Sequence, residues 1–427
     1  MLHETIIARR AFLGGALASG ALLGAVPAHA LWRDPQAYPA LDAFIRGFVA
    51  RKQLAGTLAV VGKGLAAPTV LSAGTLSMDS NKPVDIDSLW RIYSMTKPIT
   101  GMAAMILIGE GKLNLDQPLS DILPAFADMK VLKSADGPLS ETVPARTSIT
   151  IRHLLTHTAG LGYNIIQSGP IKAAYESSGI VPAQLSRMSL PGIPNPKPAP
   201  SLEEFADRLA KLPLVYEPGT KWSYSVALDL MGRVIEVVSG KPFDQFLSER
   251  IFMPLGMKST YFRVPQSQVG RLTTNYLPLG PVLLPVDVAS NSIYLDAPAF
   301  PYGGAGLVTS ARDYDRFLMM LLGEGAIGDV RIMAPATTRL GMSNLLPPGV
   351  STAGTFAGGE GFGAGGRVSL PNSPRGPGVY GWGGAAGTIA WVDTTRKMRV
   401  GGYAQYMPAE AMPFQSGLPE AIAKDLV

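Results

Sequence analysis

The pattern of apolar and polar residues predicts strands near both ends of the chain and helices between them. Leu41, Phe44, Ile45 and Phe48 have helical spacing, and two short apolar runs bounded by glycine and proline follow them. Helices are predicted over 38–51, 94–111, 151–156, 201–212, 225–239, 242–252 and 308–322. Strands are predicted over 57–62, 69–73, 378–382, 388–393 and 399–406. This order predicts an α+β fold: a mostly antiparallel sheet flanked by helices, with an inserted helical region.

The same pattern suggests how the chain is divided. Residues 31–93 and 290–427 are expected to form the α/β part, and residues 94–289 the helical part. Two segments interrupt the periodic pattern, the largely polar stretch 131–146 and the proline-rich stretch 178–200. Both are expected to be surface loops, with the walls of a substrate cleft as the alternative.

The first 30 residues have the features of an export signal. Arg9 and Arg10 precede Phe12 and Leu13, an apolar stretch follows, and Ala28-His29-Ala30 supplies small residues for a signal peptidase. The order Arg-Arg-x-Phe-Leu resembles the twin-arginine signal. We therefore expect export to the periplasm, and no stable membrane insertion once the signal is removed. An uncleaved membrane anchor is the alternative.

Composition excludes several classes of protein. Of 427 residues, 47% are hydrophobic and 16% are charged, which is enough apolar material for a large core. The net charge of +5 is spread along the chain, so nucleic acid is not an expected partner. The absence of cysteine excludes disulfides, thiolate metal sites and a cysteine nucleophile. No metal or cofactor is expected, and the oligomeric state is not indicated.

The motif Ser94-Met-Thr-Lys97 is the leading candidate for a nucleophile and its base. Residues three apart lie on one face of a helix, so the lysine amine can reach the serine hydroxyl. A serine hydroxyl is a weak nucleophile and needs such a neighbour. The helix N-terminus also favours a developing oxyanion. A plain helix start is the alternative.

Two other motifs are weaker candidates. A serine–histidine triad would have to use His153 or His157 once the signal is removed, and the chain has no G-x-S-x-G elbow. We expect both histidines to have structural roles. The run from Gly361 to Gly366 matches G-x-G-x-x-G, but the following Arg-Val-Ser-Leu-Pro cannot form a helix, so a glycine-rich loop leading into a strand is expected.

Five motifs in order resemble the class C β-lactamase-like serine hydrolases, and most closely the bacterial family VIII carboxylesterases. They are Ser94-Met-Thr-Lys97, Leu154-Leu-Thr-His-Thr-Ala-Gly-Leu161, Glu217-Pro-Gly-Thr-Lys-Trp-Ser-Tyr224-Ser225, Gly303-Gly-Ala-Gly-Leu307 and Tyr380-Gly-Trp-Gly-Gly384. The resemblance covers about residues 40–406. It implies the β-lactamase/transpeptidase-like fold.

The resemblance also implies site residues. Ser94 would be the acylated nucleophile, and Lys97 and Tyr224 would be its general base. The backbone N–H groups of Ser94 and Ala385 would form the oxyanion hole. Substrate contacts are expected from a further set: Tyr93, Val226, Trp382, Gly383 and Gly384.

Two departures from the β-lactamase motifs point to ester substrates. Val226 stands where those enzymes have an asparagine that bonds the substrate amide, and Trp382-Gly383-Gly384 replaces Lys-Thr-Gly. Both changes remove polar recognition and leave a site suited to neutral esters. We therefore expect a serine carboxylesterase acting on short-chain esters. The alternatives are a β-lactamase, a D-amino-acid peptidase or amidase, an acyltransferase, or a non-catalytic penicillin-recognition module.

Overall fold

The computed structural model describes residues 36–188, 196–280 and 282–426. Its helices, numbered in chain order, are α1 Pro39–Ala50, α2 Thr96–Gly109, α3 Ile151–Leu155, α4 Gly169–Ser177, α5 Leu202–Ala210, α6 Ala227–Ser239, α7 Phe243–Leu247, α8 Met253–Leu255, α9 Ala311–Leu322, α10 Pro335–Gly341 and α11 Phe414–Asp425. A π-helical turn, Ser248–Phe252, joins α7 to α8. No helix within the described ranges is long and apolar enough to cross a membrane.

Seven of the 16 strands in the described residues form one antiparallel sheet. The strands are β1 Gly56–Lys63, β2 Thr69–Gly74, β3 Leu89–Arg91, β4 Lys130–Leu132, β5 Thr142–Pro144, β6 Thr260–Tyr261, β7 Asn275–Leu279, β8 Val282–Asp287, β9 Val308–Ser310, β10 Ala326–Ile327, β11 Val330–Arg331, β12 Gly361–Phe362, β13 Arg367–Val368, β14 Val379–Gly384, β15 Thr388–Asp393 and β16 Met398–Tyr403. In the described part of the chain the main sheet has the order β12-β13-β14-β15-β16-β1-β2. It therefore combines strands from both ends of the sequence, because β1 pairs with β16.

Both faces of this sheet are covered. Helices α1 and α11 pack on one face, where Leu41, Ile45 and Phe48 meet Phe414. Helix α9 packs on the other face, where the larger core joins the sheet to α2 and α6. Burial on both sides explains why β1 is a nearly continuous apolar run rather than an alternating one. The predicted α+β fold, with a mostly antiparallel sheet flanked by helices, is confirmed.

Several predicted elements need correction. The segment predicted as one helix over 308–322 begins as strand β9, which pairs with β3, and α9 starts only at Ala311. The strand predicted over 399–406 ends at Tyr403. The stretch 131–146, expected to be a loop, contributes to the hairpin β4–β5. By contrast, the motif from Gly361 to Gly366 agrees with its prediction, because it lies in the hairpin β12–β13 and leads into strand β13 rather than a helix.

Some predictions fall on residues that the structure does not describe. The export signal, residues 1–30, lies outside the described ranges, as do residues 189–195 of the proline-rich stretch. Export therefore stays a prediction from sequence. The division into an α/β part and a helical part also stays a prediction.

A buried ion pair anchors the segment that leads to Ser94. Arg91, at the end of β3, lies 2.6 Å from the carboxylate of Asp287, and both side chains are almost inaccessible to solvent. The guanidinium also donates to the carbonyl of Thr273 and to the hydroxyl of Ser292. Removal of one partner would leave a buried charge without compensation.

Replacement of Asp287 should therefore destabilise the fold strongly. We expect Asp287→Ala to lower the free energy of unfolding by about 3–5 kcal/mol, measured by urea denaturation. The control is Arg339→Ala, which breaks the exposed pair between Arg339 and Glu324 and should cost no more than about 1 kcal/mol. Equal costs for the two variants would contradict the anchoring role of the buried pair.

Candidate active site

Ser94 lies in a single 3-10 turn, Tyr93–Met95, between β3 and α2. The helix predicted to begin at Ser94 begins at Thr96 instead, so the serine precedes the helix rather than opening it. Tyr93 has a φ of +40°, which is uncommon for a residue with a side chain. Backbone strain of this kind concentrates at functional sites.

Lys97 points its amine at Ser94 from the first turn of α2. Its Nζ donates to Ser94 Oγ at 3.1 Å and to the carbonyl oxygen of Gly304 at 2.7 Å. The lysine side chain is buried, and Nζ also lies 4.6 Å from the centre of the Tyr224 ring. The i, i+3 spacing in the sequence therefore produces the expected contact between amine and hydroxyl.

Tyr224 completes the hydrogen bonding of the serine. Its hydroxyl donates to Ser94 Oγ at 2.8 Å and accepts from the indole N–H of Trp382 at 3.3 Å. The tyrosine comes from the segment before α6, 130 residues after Ser94. The structure thus brings the three predicted catalytic residues together. Their roles in a reaction remain predictions.

Aromatic rings surround Tyr224 on several sides. Its ring contacts His157, Tyr163, Trp222, Phe356 and Trp382, with ring centres 4.7–6.2 Å apart. Phe356 differs from the others because 58% of its surface is exposed. It forms an apolar wall at the outer side of this cluster, where a substrate can reach it.

Neither histidine bonds the nucleophile. Nδ1 of His157 accepts from the backbone N–H of Ser225 and lies 3.0 Å from its hydroxyl. Burial and the Lys97 ammonium hold the pKa of His157 well below its usual value, so the ring is neutral. His153 accepts from the backbone N–H of Thr150 as part of a capping box at the start of α3. Both histidines therefore bond backbone groups, as expected, and their purely structural role stays a prediction.

The end of β14 lies against the nucleophile turn, as an oxyanion hole requires. Gly384 approaches the carbonyl of Ile92 so closely that any Cβ would overlap it. Ala385 follows at once and is exposed, in the turn between β14 and β15. The contribution of its N–H and that of Ser94 to an oxyanion hole stays a prediction.

Trp382 directs its indole N–H at Tyr224, whereas Val226, Tyr93 and Gly383, also expected to contact substrate, face other parts of the structure. The side chain of Val226 is fully buried, and that of Tyr93 is buried edge-on against Tyr294. A Cβ on Gly383 would face Gln415 on α11, on the opposite face of the sheet. Burial argues against direct substrate contact by Val226 and Tyr93. Neighbours of catalytic residues in sequence point elsewhere because the chain turns at these positions.

Asp229 is a site residue that the sequence analysis missed. This carboxylate on α6 is fully buried, and its Oδ1 accepts from the backbone N–H of Gly304 at 2.8 Å. Burial raises the pKa of Asp229 to about 7, against the opposing effects of Lys97 and the Gly304 N–H. The signal in the sequence was a single acidic residue within the apolar run Val226-Ala-Leu-Asp-Leu-Met231.

The described residues include no cluster of three or more histidine, aspartate or glutamate side chains that could hold a metal ion. The polar groups around Ser94 are an amine, a phenol and backbone amides. They can activate a hydroxyl, move a proton and stabilise an oxyanion, which are the requirements of acyl transfer.

Known proteins share both the fold and the sequence pattern. Protein Rv1367c of Mycobacterium tuberculosis (strain ATCC 25618 / H37Rv) is 35% identical over 349 residues, which cover 78% of this chain and 82% of that protein. Esterase EstB of Burkholderia gladioli is 29% identical over 83% of this chain and 86% of its own length. Among solved structures, EstCE1, described as a hydrolase with promiscuous acyltransferase activity, has a TM-score of 0.73 and 27% identity. That match covers 91% of this chain and 98% of EstCE1.

The Beta-lactamase family model matches residues 41–415, which is most of the chain. Together with the esterase relatives, this match confirms the resemblance drawn from the five motifs and the β-lactamase/transpeptidase-like fold that it implied. The chain therefore belongs to the beta-lactamase family, within which it is similar to serine esterases.

Proposed function

We propose that the protein is a serine carboxylesterase that hydrolyses short-chain carboxylic esters through an acyl-enzyme on Ser94. The observation that carries this proposal is the pair of hydrogen bonds that Ser94 Oγ accepts from Lys97 and Tyr224, at 3.1 Å and 2.8 Å. A hydroxyl held between an amine and a phenol has two neighbours, either of which can take its proton once it has lost its own. The name of the esterase EstB and the description of EstCE1 as a hydrolase support the same reaction class.

The proposed reaction has two steps. Ser94 Oγ attacks the ester carbonyl, and its proton passes to Lys97 or Tyr224 and then to the departing alkoxide, which leaves as an alcohol. The backbone N–H groups of Ser94 and Ala385 would stabilise the tetrahedral oxyanion. Water then attacks the acyl-enzyme by the reverse proton path. The carboxylic acid leaves, and the serine hydroxyl is restored.

The surroundings of the nucleophile favour neutral esters over β-lactams. Trp382 stands in place of the lysine that faces the substrate carboxylate in β-lactamases, and its indole N–H is directed at Tyr224. Val226, in place of the asparagine, is fully buried. An apolar, aromatic surface binds acyl and alkyl groups through the hydrophobic effect.

Acyl transfer to an alcohol is the second candidate. The same acyl-enzyme would react with an alcohol instead of water, and the description of EstCE1 includes acyltransferase activity. Ester hydrolysis and ester exchange would share Ser94, so only the acceptor distinguishes them. Addition of a small acceptor alcohol to the assay would then increase the release of the substrate's own alcohol, and the ester of the acceptor alcohol would form.

A comparison of two chromogenic substrates tests the proposal. Wild type and Ser94→Ala are assayed with p-nitrophenyl butyrate and with a chromogenic cephalosporin under the same conditions. We expect ester hydrolysis that requires Ser94 and exceeds cephalosporin cleavage by at least about tenfold in kcat/KM, because polar recognition of the β-lactam is missing. Cephalosporin cleavage that exceeds ester hydrolysis would support the β-lactamase alternative.

The exposed ring of Phe356 should affect substrate choice. It contacts Trp222 and Tyr224 on one side and is open to solvent on the other. We expect Phe356→Ala to reduce kcat/KM for p-nitrophenyl hexanoate by about 3–10-fold, since burying each CH₂ group of the acyl chain against the ring contributes about 0.8 kcal/mol. The acetate ester should change less than about twofold.

The control for Phe356 is Leu65→Ala, which removes an equally exposed apolar side chain in the turn after β1. This variant should leave kcat/KM unchanged for both the acetate and the hexanoate ester. Equal losses for the acetate and the hexanoate in Phe356→Ala would contradict a role in recognising the acyl chain.

A further inference from the structure

A single carboxylate lies buried beside the candidate catalytic residues. Asp229 follows Tyr224 by five positions and lies in the first turn of α6, between apolar neighbours. Its side chain is fully buried, and its Oδ2 has no hydrogen-bond partner among the described residues. A buried carboxylate is costly unless its surroundings compensate for it, so its placement requires a specific explanation.

The carboxylate and Lys97 hold the same short turn. Asp229 Oδ1 accepts from the N–H of Gly304, and the carbonyl oxygen of Gly304 accepts from Lys97 Nζ. The hydroxyl of Thr100 donates to the carbonyl oxygen of Gly303 at 2.7 Å. The turn is therefore fixed by α6 on one side and by α2 on the other. The position of the lysine amine depends on both.

The two glycines of this turn allow the close approach. A Cβ on Gly304 would lie 2.5 Å from Asp229 Oδ2, and a Cβ on Gly303 would overlap the carbonyl oxygen of Leu228. Side chains at either position would push the turn away from α6. The Gly303-Gly304 pair is thus explained by contact with the segment that carries Asp229.

Charge links the same residues. The Lys97 amine donates to two neutral oxygens, Ser94 Oγ and the Gly304 carbonyl oxygen, and its charge favours the ionised form of Asp229 against the effect of burial. Other titratable groups also face this pair in the described part of the chain. They are Tyr163 and His157 from the segment around α3, Tyr224 before α6, and Tyr302 in the turn.

We propose that Asp229 is a positioning residue that fixes the Gly303-Gly304 turn against Lys97 and whose charge sets the pH range in which Ser94 is activated. This inference rests on the proposed function, in which Ser94 is the nucleophile. A negative charge nearby opposes the loss of a proton from the amine, the phenol and the serine alike. The direction of the effect is therefore the same whether Lys97 or Tyr224 accepts the serine proton.

The variant Asp229→Asn tests the charge while keeping the shape. Its amide oxygen can still accept from the Gly304 N–H. We measure kcat/KM for p-nitrophenyl butyrate between about pH 5 and pH 9, and the midpoint of the acid limb is compared with that of wild type. We expect this midpoint to move to lower pH by about one unit or more, with KM changed by less than about threefold.

Glu236→Gln is the matched control. It removes a carboxylate from the same helix, at a residue that bonds Arg233 and the backbone N–H of Phe243. This variant should leave the midpoint unchanged. An unchanged midpoint in Asp229→Asn, with kcat lowered equally at every pH, would show that Asp229 is structural only and would overturn the proposal.

A second readout separates this inference from the esterase proposal. A fluorophosphonate forms a phosphorus–oxygen bond with Ser94 Oγ and releases fluoride, whatever the natural substrate is, so its labelling rate reports serine activation directly. A shifted labelling profile in an enzyme that hydrolyses no ester would support the role of Asp229 and refute the esterase. If ester hydrolysis requires Ser94 but the labelling profiles of wild type and Asp229→Asn are identical, the esterase proposal is supported and the role of Asp229 is refuted.

A measurement on wild type covers the case in which Asp229→Asn does not fold. The carbon-13 signals of labelled aspartate carboxyls are followed by NMR as the pH is varied. Burial raises the pKa of Asp229 to about 7, so one aspartate carboxyl should ionise near neutral pH, and the fluorophosphonate labelling rate should rise at higher pH, because the new charge opposes proton loss from the base. Labelling that reaches its full rate before this aspartate ionises would overturn the proposal.

Discussion

Ser94→Ala is expected to lower kcat/KM for p-nitrophenyl butyrate by a factor on the order of 10⁴ or more, because no acyl-enzyme can form without the serine oxygen. Two donors converge on this oxygen in the structure, and alanine has nothing to accept their hydrogen bonds. Intact-protein mass spectrometry after exposure to a fluorophosphonate provides a second measurement. The wild-type mass should increase by one phosphonyl group, and the variant mass should not change.

A neighbouring serine provides the control for this prediction. Ser225 directly follows Tyr224, but its hydroxyl lies beside His157 rather than Ser94. Ser225→Ala should lower kcat by no more than about tenfold, since it removes one supporting hydrogen bond. Full labelling of Ser94→Ala, or its loss in Ser225→Ala alone, would mean that the nucleophile has been assigned to the wrong serine.

Tyr224→Phe should produce the second largest loss, of about 10²–10⁴-fold in kcat, which is the usual contribution of a positioned general acid or base. The phenyl ring keeps its packing against Trp222 and Trp382, so the fold and KM should be little affected. The phenol oxygen lies 2.8 Å from Ser94 Oγ, and its loss removes the group placed to shuttle the proton. Steady-state kinetics with the acetate and butyrate esters will separate kcat from KM.

Trp382→Phe is the informative comparison for Tyr224. It removes the indole N–H that donates to the Tyr224 hydroxyl but leaves the phenol in place. We expect a loss of about tenfold, equivalent to one hydrogen bond of about 1.4 kcal/mol. If Tyr224→Phe retained kcat within about threefold, Lys97 alone would have to carry the proton.

The contact between residues close in sequence was predictable. Lys97 reaches Ser94 because the 3-10 turn that carries Ser94 runs directly into α2, which keeps residues three apart on one side. The approach of Tyr224 to Ser94 depends on tertiary packing over 130 residues, and only the resemblance to known motifs suggested it. The role of Gly304 as acceptor for Lys97 depends likewise on long-range packing and was not predicted.

Other errors have local physical causes. The helix predicted over 308–322 included β9 because a buried apolar residue such as Val308 fits the pattern of a strand as well as that of a helix. Ser310 marks the true helix start, since its side chain accepts from the N–H of Asp313. Substrate contact by Val226, which stands at the asparagine position of the β-lactamase motif, and by Tyr93 stays a prediction from the resemblance. A side chain beside a turn can nevertheless point into the core, as both of these do.

The pairing of β1 with β16 also determines how the chain can fold. Strand β1 can pair with β16 only when the residues around Tyr403 are available. Formation of the sheet must therefore bring together segments separated by most of the sequence. Folds dominated by such distant pairings form slowly. The end of β14 and the turn that carries Ser94 are likewise brought together by this closure. A nascent or truncated chain lacking β14–β16 therefore cannot place the end of β14 against the turn that carries Ser94.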